Sequence, residues 1–110
     1  MKLVYVAGPY AGKTIFHQWL NVYRAWRVAR ILWGRGYAAI CPHTNSLLMD
    51  STLDWDGWLT GDEAIIDRCD LVVFLPTWRQ SRGARREMRY ALLKQKDIVT
   101  LGHWKDAKNL

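Results

Sequence analysis

Asp70-Leu71-Val72-Val73-Phe74-Leu75-Pro76 decides the fold. Its apolar residues follow one another without a polar residue between them, so the strand they form is buried on both faces, and the proline closes it. Leu3-Val4-Tyr5-Val6-Ala7 repeats the pattern ahead of Gly8-Pro9, and Tyr37 to Cys41 repeats it ahead of Pro42. Ile98 to Leu101 is a last short run. Helical patterns fill the intervals. Ile15, Trp19, Val22, Trp26, Ala29 and Trp33 keep helical spacing until Gly34-Arg35-Gly36 stops the helix. Trp58 to Arg68 reads as a short helix on Leu59, Ile65 and Ile66, and Arg82 to Lys94 as a helix with Ser81 at its N-cap. His43 to Gly57 reads as a long polar loop with a little local structure, and the tail after Gly102 is too short to assign.

Strands that alternate with helices, and that are apolar on both faces, imply a mostly parallel sheet covered on both sides. The expected architecture is a small doubly wound α/β fold, Rossmann- or flavodoxin-like, with three layers and four or five strands. Such sheets bind ligands at the carboxyl ends of their strands. The site is therefore expected at Gly8 to Thr14, Pro42 to Asn45 and Pro76 to Gly83.

The chain has 110 residues, half of them apolar and 24% charged, which fits one globular domain spanning 1–110. No apolar run approaches the ~18 residues of a spanning helix. Met1-Lys2-Leu3-Val4-Tyr5 runs straight into a strand with no secretory leader pattern, so a cytoplasmic protein is expected. Cys41 and Cys69 read as small core residues, too few for a disulfide framework or a four-cysteine zinc site. With His17, His43 and His103 scattered, neither a metal nor another cofactor is expected. Sixteen Lys and Arg against ten Asp and Glu give a net charge of +6, which suits a nucleic acid, a nucleotide or a phosphorylated metabolite. Of the seven Trp, Trp19, Trp26 and Trp33 recur every seven residues, a core or subunit-interface spacing. A homodimer with Trp19 or Trp26 at its interface is the expected assembly; a base-stacking platform is the weaker alternative.

Gly8-Pro9-Tyr10-Ala11-Gly12-Lys13-Thr14 invites a phosphate-loop reading, but that pattern needs four residues between its glycines and this chain has three. Pro9 also lacks an amide the cradle would use. What survives is an anion contact from Gly12 and Lys13 at a strand-to-helix junction. Ser81-Arg82-Gly83-Ala84 opens the last helix and offers a hydroxyl, free first-turn amides and close backbone approach; an ordinary serine cap explains it equally well. On that helix Arg82, Arg85, Arg86 and Arg89 share a stripe, while Gly83 and Glu87 lie off it, one turn apart. Glu87 is either a surface residue offsetting the arginines or a carboxylate turned toward the strand ends. Asp62 is placed to point into the cleft, whereas Asp70 begins its strand at the opposite end and reads as structural. His43, after Pro42, either contacts ligand or braces its loop.

Val4-Tyr5-Val6-Ala7-Gly8-Pro9, Asp62 with Asp70 eight positions later, and Ser81-Arg82-Gly83-Ala84-Arg85-Arg86-Glu87 followed by Ala91 together resemble the nucleoside 2-deoxyribosyltransferases and the related deoxynucleoside 5'-monophosphate N-glycosidases. Asn21, Pro42 and His43 are similar to small bacterial and phage members of the same superfamily. The resemblance implies cleavage of an N-glycosidic bond, with Glu87 as nucleophile, Asp62 as the acid at the leaving base and Tyr5 orienting the nucleophile. It implies substrate contacts from Gly8, Pro9, Tyr10, Gly12, Lys13, His43, Ser81, Arg82 and Gly83. Members acting on free nucleosides tend to carry Asp where this chain has Ser81. Loss of that negative charge favours a nucleoside 5'-monophosphate. The segment from Ser46 to Trp58 matches no substrate-specific pattern.

Two other functions compete. One is a nucleotide-sensing module without turnover. The other, ranked last, is a nucleic-acid-binding protein using the arginine stripe from Arg82 to Arg89.

Overall fold

The computed structural model describes residues 1–47, 49 and 51–110. Positions 48 and 50 of the expected long loop lie outside the described residues. Four strands, β1 (Leu3–Ala7), β2 (Ala38–Ile40), β3 (Leu71–Phe74) and β4 (Asp97–Thr100), form one sheet in the order β2-β1-β3-β4. Every pairing is parallel; Tyr5 lies opposite Ile40 on one side and Val72 on the other. Helices α1 (Ile15–Gly34), α2 (Pro42–Asn45), α3 (Trp55–Ile66) and α4 (Arg82–Leu93) connect them, and short 3-10 helices occupy Trp78–Gln80 and Trp104–Asn109. The doubly wound α/β expectation therefore holds.

Successive side chains of a strand point to opposite faces. Val4 and Val6 accordingly enter a core shared with Ala25, Val28 and Leu32 of α1 and with Ala107 of the C-terminal 3-10 helix. Tyr5 and Ala7 enter the other core, with Ile66 of α3, Phe74 of β3 and Ala91 of α4. Cys41 and Cys69 are buried free thiols, one in each core. Among the described residues no helix is long and apolar enough to cross a membrane.

Several local expectations change. The buried stripe of α1 is Val22, Ala25, Val28, Ala29 and Leu32, while Trp19, Trp26 and Trp33 remain 44, 44 and 56% exposed and Ile15 is exposed as well. The tryptophans are not core residues. The small Ala25 and Ala29 let the helix lie close on the sheet, and indoles at those places would hold it off. Trp33 instead donates its Nε1–H to the Ala39 carbonyl of edge strand β2 at 3.1 Å. Helix α3 starts three residues earlier than expected because Asp54 caps it, its Oδ1 accepting from Gly57 N at 2.7 Å. Pro42 opens the short α2 rather than simply ending a strand. The tail is ordered: Ala107 is fully buried, and Arg35 holds the Leu110 carbonyl through two bonds of 3.1 and 3.2 Å. Asp70 is structural, accepting from Leu3 N at 2.8 Å at the strand end remote from the ligand side.

Gly8 sits where β1 passes closest to Leu75. A Cβ there would stand 2.5 Å from Leu75 Cδ1 and 2.9 Å from Cγ, and Leu75 is itself buried. Gly8→Ala is expected to destabilise the fold by about 1–3 kcal/mol, the usual range for overpacking. Thermal unfolding measures it, and an unchanged Tm would contradict the close approach.

Candidate active site

The chain leaves β1 for β2 on one side and returns to β3 on the other, so the strand order reverses between β1 and β3. At the carboxyl ends of these strands lies a cavity of about 490 Å³. Gly8 to Ala11 form one part of its wall, Pro42, His43 and Ser46 a second, and the first turn of α4 a third. Helix α3 supplies Trp55, Trp58, Leu59 and Asp62.

The inner stripe of α4 is Ala84, Glu87 and Ala91. A carboxyl thus occupies the middle of an otherwise small apolar stripe. Glu87 is 5% exposed, lines the cavity, and accepts a hydrogen bond at Oε2 from the Tyr5 hydroxyl. Tyr5 itself is enclosed in the sheet's core behind the cavity wall. Burial pushes the Glu87 carboxyl up to about 8, reinforced by the neighbouring Asp62 and opposed by the Tyr5 hydroxyl. Burial also lifts Asp62 to about 6, again opposed by the Tyr5 hydroxyl. The phenol of Tyr5 is raised by its burial and then by Glu87, so it stays protonated and donates. Two carboxyls displaced toward neutrality in one cleft can exchange a proton with a bound molecule, one attacking or accepting while the other donates.

Ser81 is a helix cap that also lines the cavity. Its Oγ accepts from Ala84 N at 3.1 Å as a helix cap, and the same residue faces the cavity. The hydroxyl proton remains free to be donated, and the first-turn amides of a helix have no partners within it. His43 braces its loop: Nε2–H donates to the Pro9 carbonyl at 2.7 Å, and burial lowers the ring's pKa, keeping it neutral. Its Nδ1 is buried without a hydrogen-bond partner on a residue that lines the cavity.

Gly8, Pro9, Tyr10, His43, Asp62, Ser81, Arg82, Gly83 and Glu87 all line this one cavity. Gly12 and Lys13 do not; both are exposed on the approach to α1. Gly12 answers a packing need, since a Cβ would come within 2.5 Å of His17 Cβ. Sequence reading missed the aromatic wall, Trp55 and Trp58, by placing Trp55 in a loop. The capping pair of Asp54 with Gly57 was the available signal. It also missed how the stripe on α4 is used. Arg86 binds Asp56 at 2.7 Å and Glu63 at 3.3 Å, tying α4 to α3. The Arg82 guanidinium lies 4.3 Å from the Trp55 ring centroid, at the cavity wall. Asn21 donates to the Tyr10 and Ala11 carbonyls, both at 3.3 Å, and steadies the loop after β1. Among the described residues, no group of three or more His, Cys, Asp or Glu is placed to hold a metal ion.

A family model described as a domain of unknown function, DUF4406, matches residues 2–100. The chain belongs to this family. It is also similar to two solved structures. Against the 2-deoxyribosyltransferase of Bacillus psychrosaccharolyticus the TM-score is 0.68 at 17% identity, covering 98% of this chain and 91% of the other. Against the 2-deoxyribosyltransferase of Leishmania mexicana it is 0.66 at 18% identity, covering 92% of this chain and 64% of the other. The chain thus spans just under two thirds of the Leishmania protein. At these identities the likeness is one of fold, and the fold implied by the motifs is the one found. Among curated proteins none matches the chain.

A folded carboxyl that holds its proton to about pH 8, against the ordinary 4.5, binds more protons than the unfolded chain across that window. Stability from Glu87 is thus complete below 4.5 and is lost as pH rises through 8. The Tm is expected to decline from about pH 5 to about pH 9, and Glu87→Gln, which cannot ionise, to flatten the decline. A wild-type profile that Glu87→Gln leaves unchanged would show that Glu87 does not hold its proton in the folded chain.

Proposed function

We propose that residues 1–110 act as one unit that cleaves the N-glycosidic bond of a nucleoside or deoxynucleoside 5'-monophosphate. One observation carries the reading: the Glu87 carboxyl, held by Tyr5 and beside Asp62, shares a cavity with the amino end of its own helix. A phosphate at Ser81 to Gly83 sets the sugar one helical turn away, above Glu87. The ionised carboxylate attacks the anomeric carbon, forming an ester bond as the bond to the base breaks. The base leaves with the electron pair and takes the Asp62 proton. Water, or a second base, then attacks the same carbon, gives its proton to Asp62 and frees Glu87. Tyr5 donates to the carboxylate and fixes its direction, and Trp55 and Trp58 offer faces for the heterocycle.

The alternative is a nucleotide-sensing module without turnover, and one observation favours it. With its pKa near 8, Glu87 rests mainly protonated at neutral pH, and a neutral carboxyl does not attack. Catalysis therefore uses the minor form in which Glu87 is ionised and Asp62 protonated. The pair loses its protons in two steps, near 6 and near 8, and kcat/KM is expected to be bell-shaped between them.

Incubation with a panel of nucleotides and nucleosides, followed by chromatography for free base, separates the readings. Base release from a monophosphate is expected. Glu87→Gln should abolish it, by about 10³-fold or more, and Asp62→Asn should slow it by about 10²–10⁴-fold, with both variants folded. A monophosphate that raises the Tm without release of base would identify a sensor. Release unaffected by Glu87→Gln would remove the assignment.

The exposed flank of α1 carrying Trp19 and Trp26 is proposed as the face of a homodimer. Sedimentation should give a dimer that Trp19→Lys and Trp26→Lys together dissociate; a wild-type monomer contradicts it.

A further inference from the structure

A second cleft, of about 250 Å³, lies on the far side of the sheet from the Glu87 cavity, between α1 and the C-terminal 3-10 helix. Arg24 and Arg27 line it from α1, and Lys105 and Lys108 from the 3-10 helix. None of the four forms an ion pair among the described residues. The charges come from two elements. Arg24 to Arg27 is one turn of α1, and Lys105 to Lys108 is one turn of the 3-10 helix.

Helix α1 contains no Asp or Glu, and neither does any position before Asp50. The tail's one carboxylate, Asp106, is turned back to accept from His103 N at 2.9 Å. The cations also sit on rings: the Arg24 guanidinium is 5.2 Å from the Trp104 centroid and Arg27 is 5.9 Å from that of Tyr23. Guanidinium planes backed by aromatic rings present flat, charged surfaces on which bases stack while the cations follow phosphates. Cations drawn from two elements, two of them seated on aromatic rings, suit a flexible polyanion better than a single small anion. We infer that this cleft binds single-stranded nucleic acid along its backbone, without sequence preference. The basic stripe that suggested nucleic acid from the sequence, on α4, is not the one: Arg86 there is held by carboxylates and Arg85 donates to the Arg79 carbonyl.

The inference does not depend on turnover at the Glu87 cavity. Its test is fluorescence anisotropy of a labelled single-stranded oligothymidylate of about 20 nucleotides. Four phosphate contacts predict a log–log salt slope of about −3, hence about 50-fold weaker binding on going from 50 to 200 mM salt. Arg27→Glu with Lys105→Glu should weaken binding at least about tenfold, and Tyr23→Ala about fivefold or more, without change in Tm. Arg79→Glu with Arg89→Glu makes the same charge change on the opposite face and should leave affinity within about threefold. Equal losses from the two double variants would show binding to net charge alone and overturn the inference. So would no binding at 50 mM salt, tighter binding of a duplex of equal length, or adsorption to anionic vesicles in place of the oligonucleotide.

Discussion

The hydrogen bond from Tyr5 to Glu87 joins the middle strand of the sheet to the middle of α4, with both side chains enclosed. A buried ionised carboxylate without a partner is among the least tolerable features of an interior. This chain accommodates the group by keeping it largely protonated and giving it one donor, amid apolar side chains such as Phe74 and Val72, each worth roughly 1.5–3 kcal/mol of burial. The bond also sets the height and rotation of α4 over the sheet. With Glu87 facing Tyr5, Ala84 and Ala91 face the core, and the amino end of the helix arrives at the carboxyl ends of β1 and β3. The cavity is the consequence of that placement.

Around this contact the chain separates two kinds of charge. Carboxyls gather on the α3 and α4 side of the sheet, where Asp56 and Glu63 hold Arg86, and Asp62 stands beside Glu87. On the α1 side Arg24, Arg27, Lys105 and Lys108 line a second cleft. The net charge of +6 is therefore no uniform coat. On α4 one arginine of the stripe, Arg86, is ion-paired, while α1 has no acidic residue of its own to set against its arginines. Each face is free to meet a different anion.

Much of the candidate site was legible in the residues. Gly8-Pro9, Ser81 and Glu87 stand immediately after apolar runs or on the helix that follows one, and a doubly wound sheet brings such positions together. The position of Asp62 ahead of Ile65 and Ile66 placed it toward the cleft, and resemblance alone supplied its role as an acid. Trp55 and Trp58 were hidden because Trp55-Asp56-Gly57 reads as a turn until Asp54 is recognised as a cap. The tryptophans of α1 misled for another reason: hydrophobic spacing marks apolar stripes, but close packing on a sheet selects the small one, Ala25 and Ala29 with Val22, Val28 and Leu32.

By itself the sequence determined the strands, their parallel arrangement and the end of the sheet where ligand groups collect. The uninterrupted apolar runs of β1 and β3 are satisfied by burial on both faces, whereas β4, at the sheet edge, has no buried residue. Tertiary structure alone decided which helix stripe met the core, how the last residues docked against α1, and that Glu87 is buried beside Tyr5, which raises its pKa. Those outcomes depend on distances between segments 82 residues apart in the chain, as Tyr5 and Glu87 are, and no local pattern encodes them.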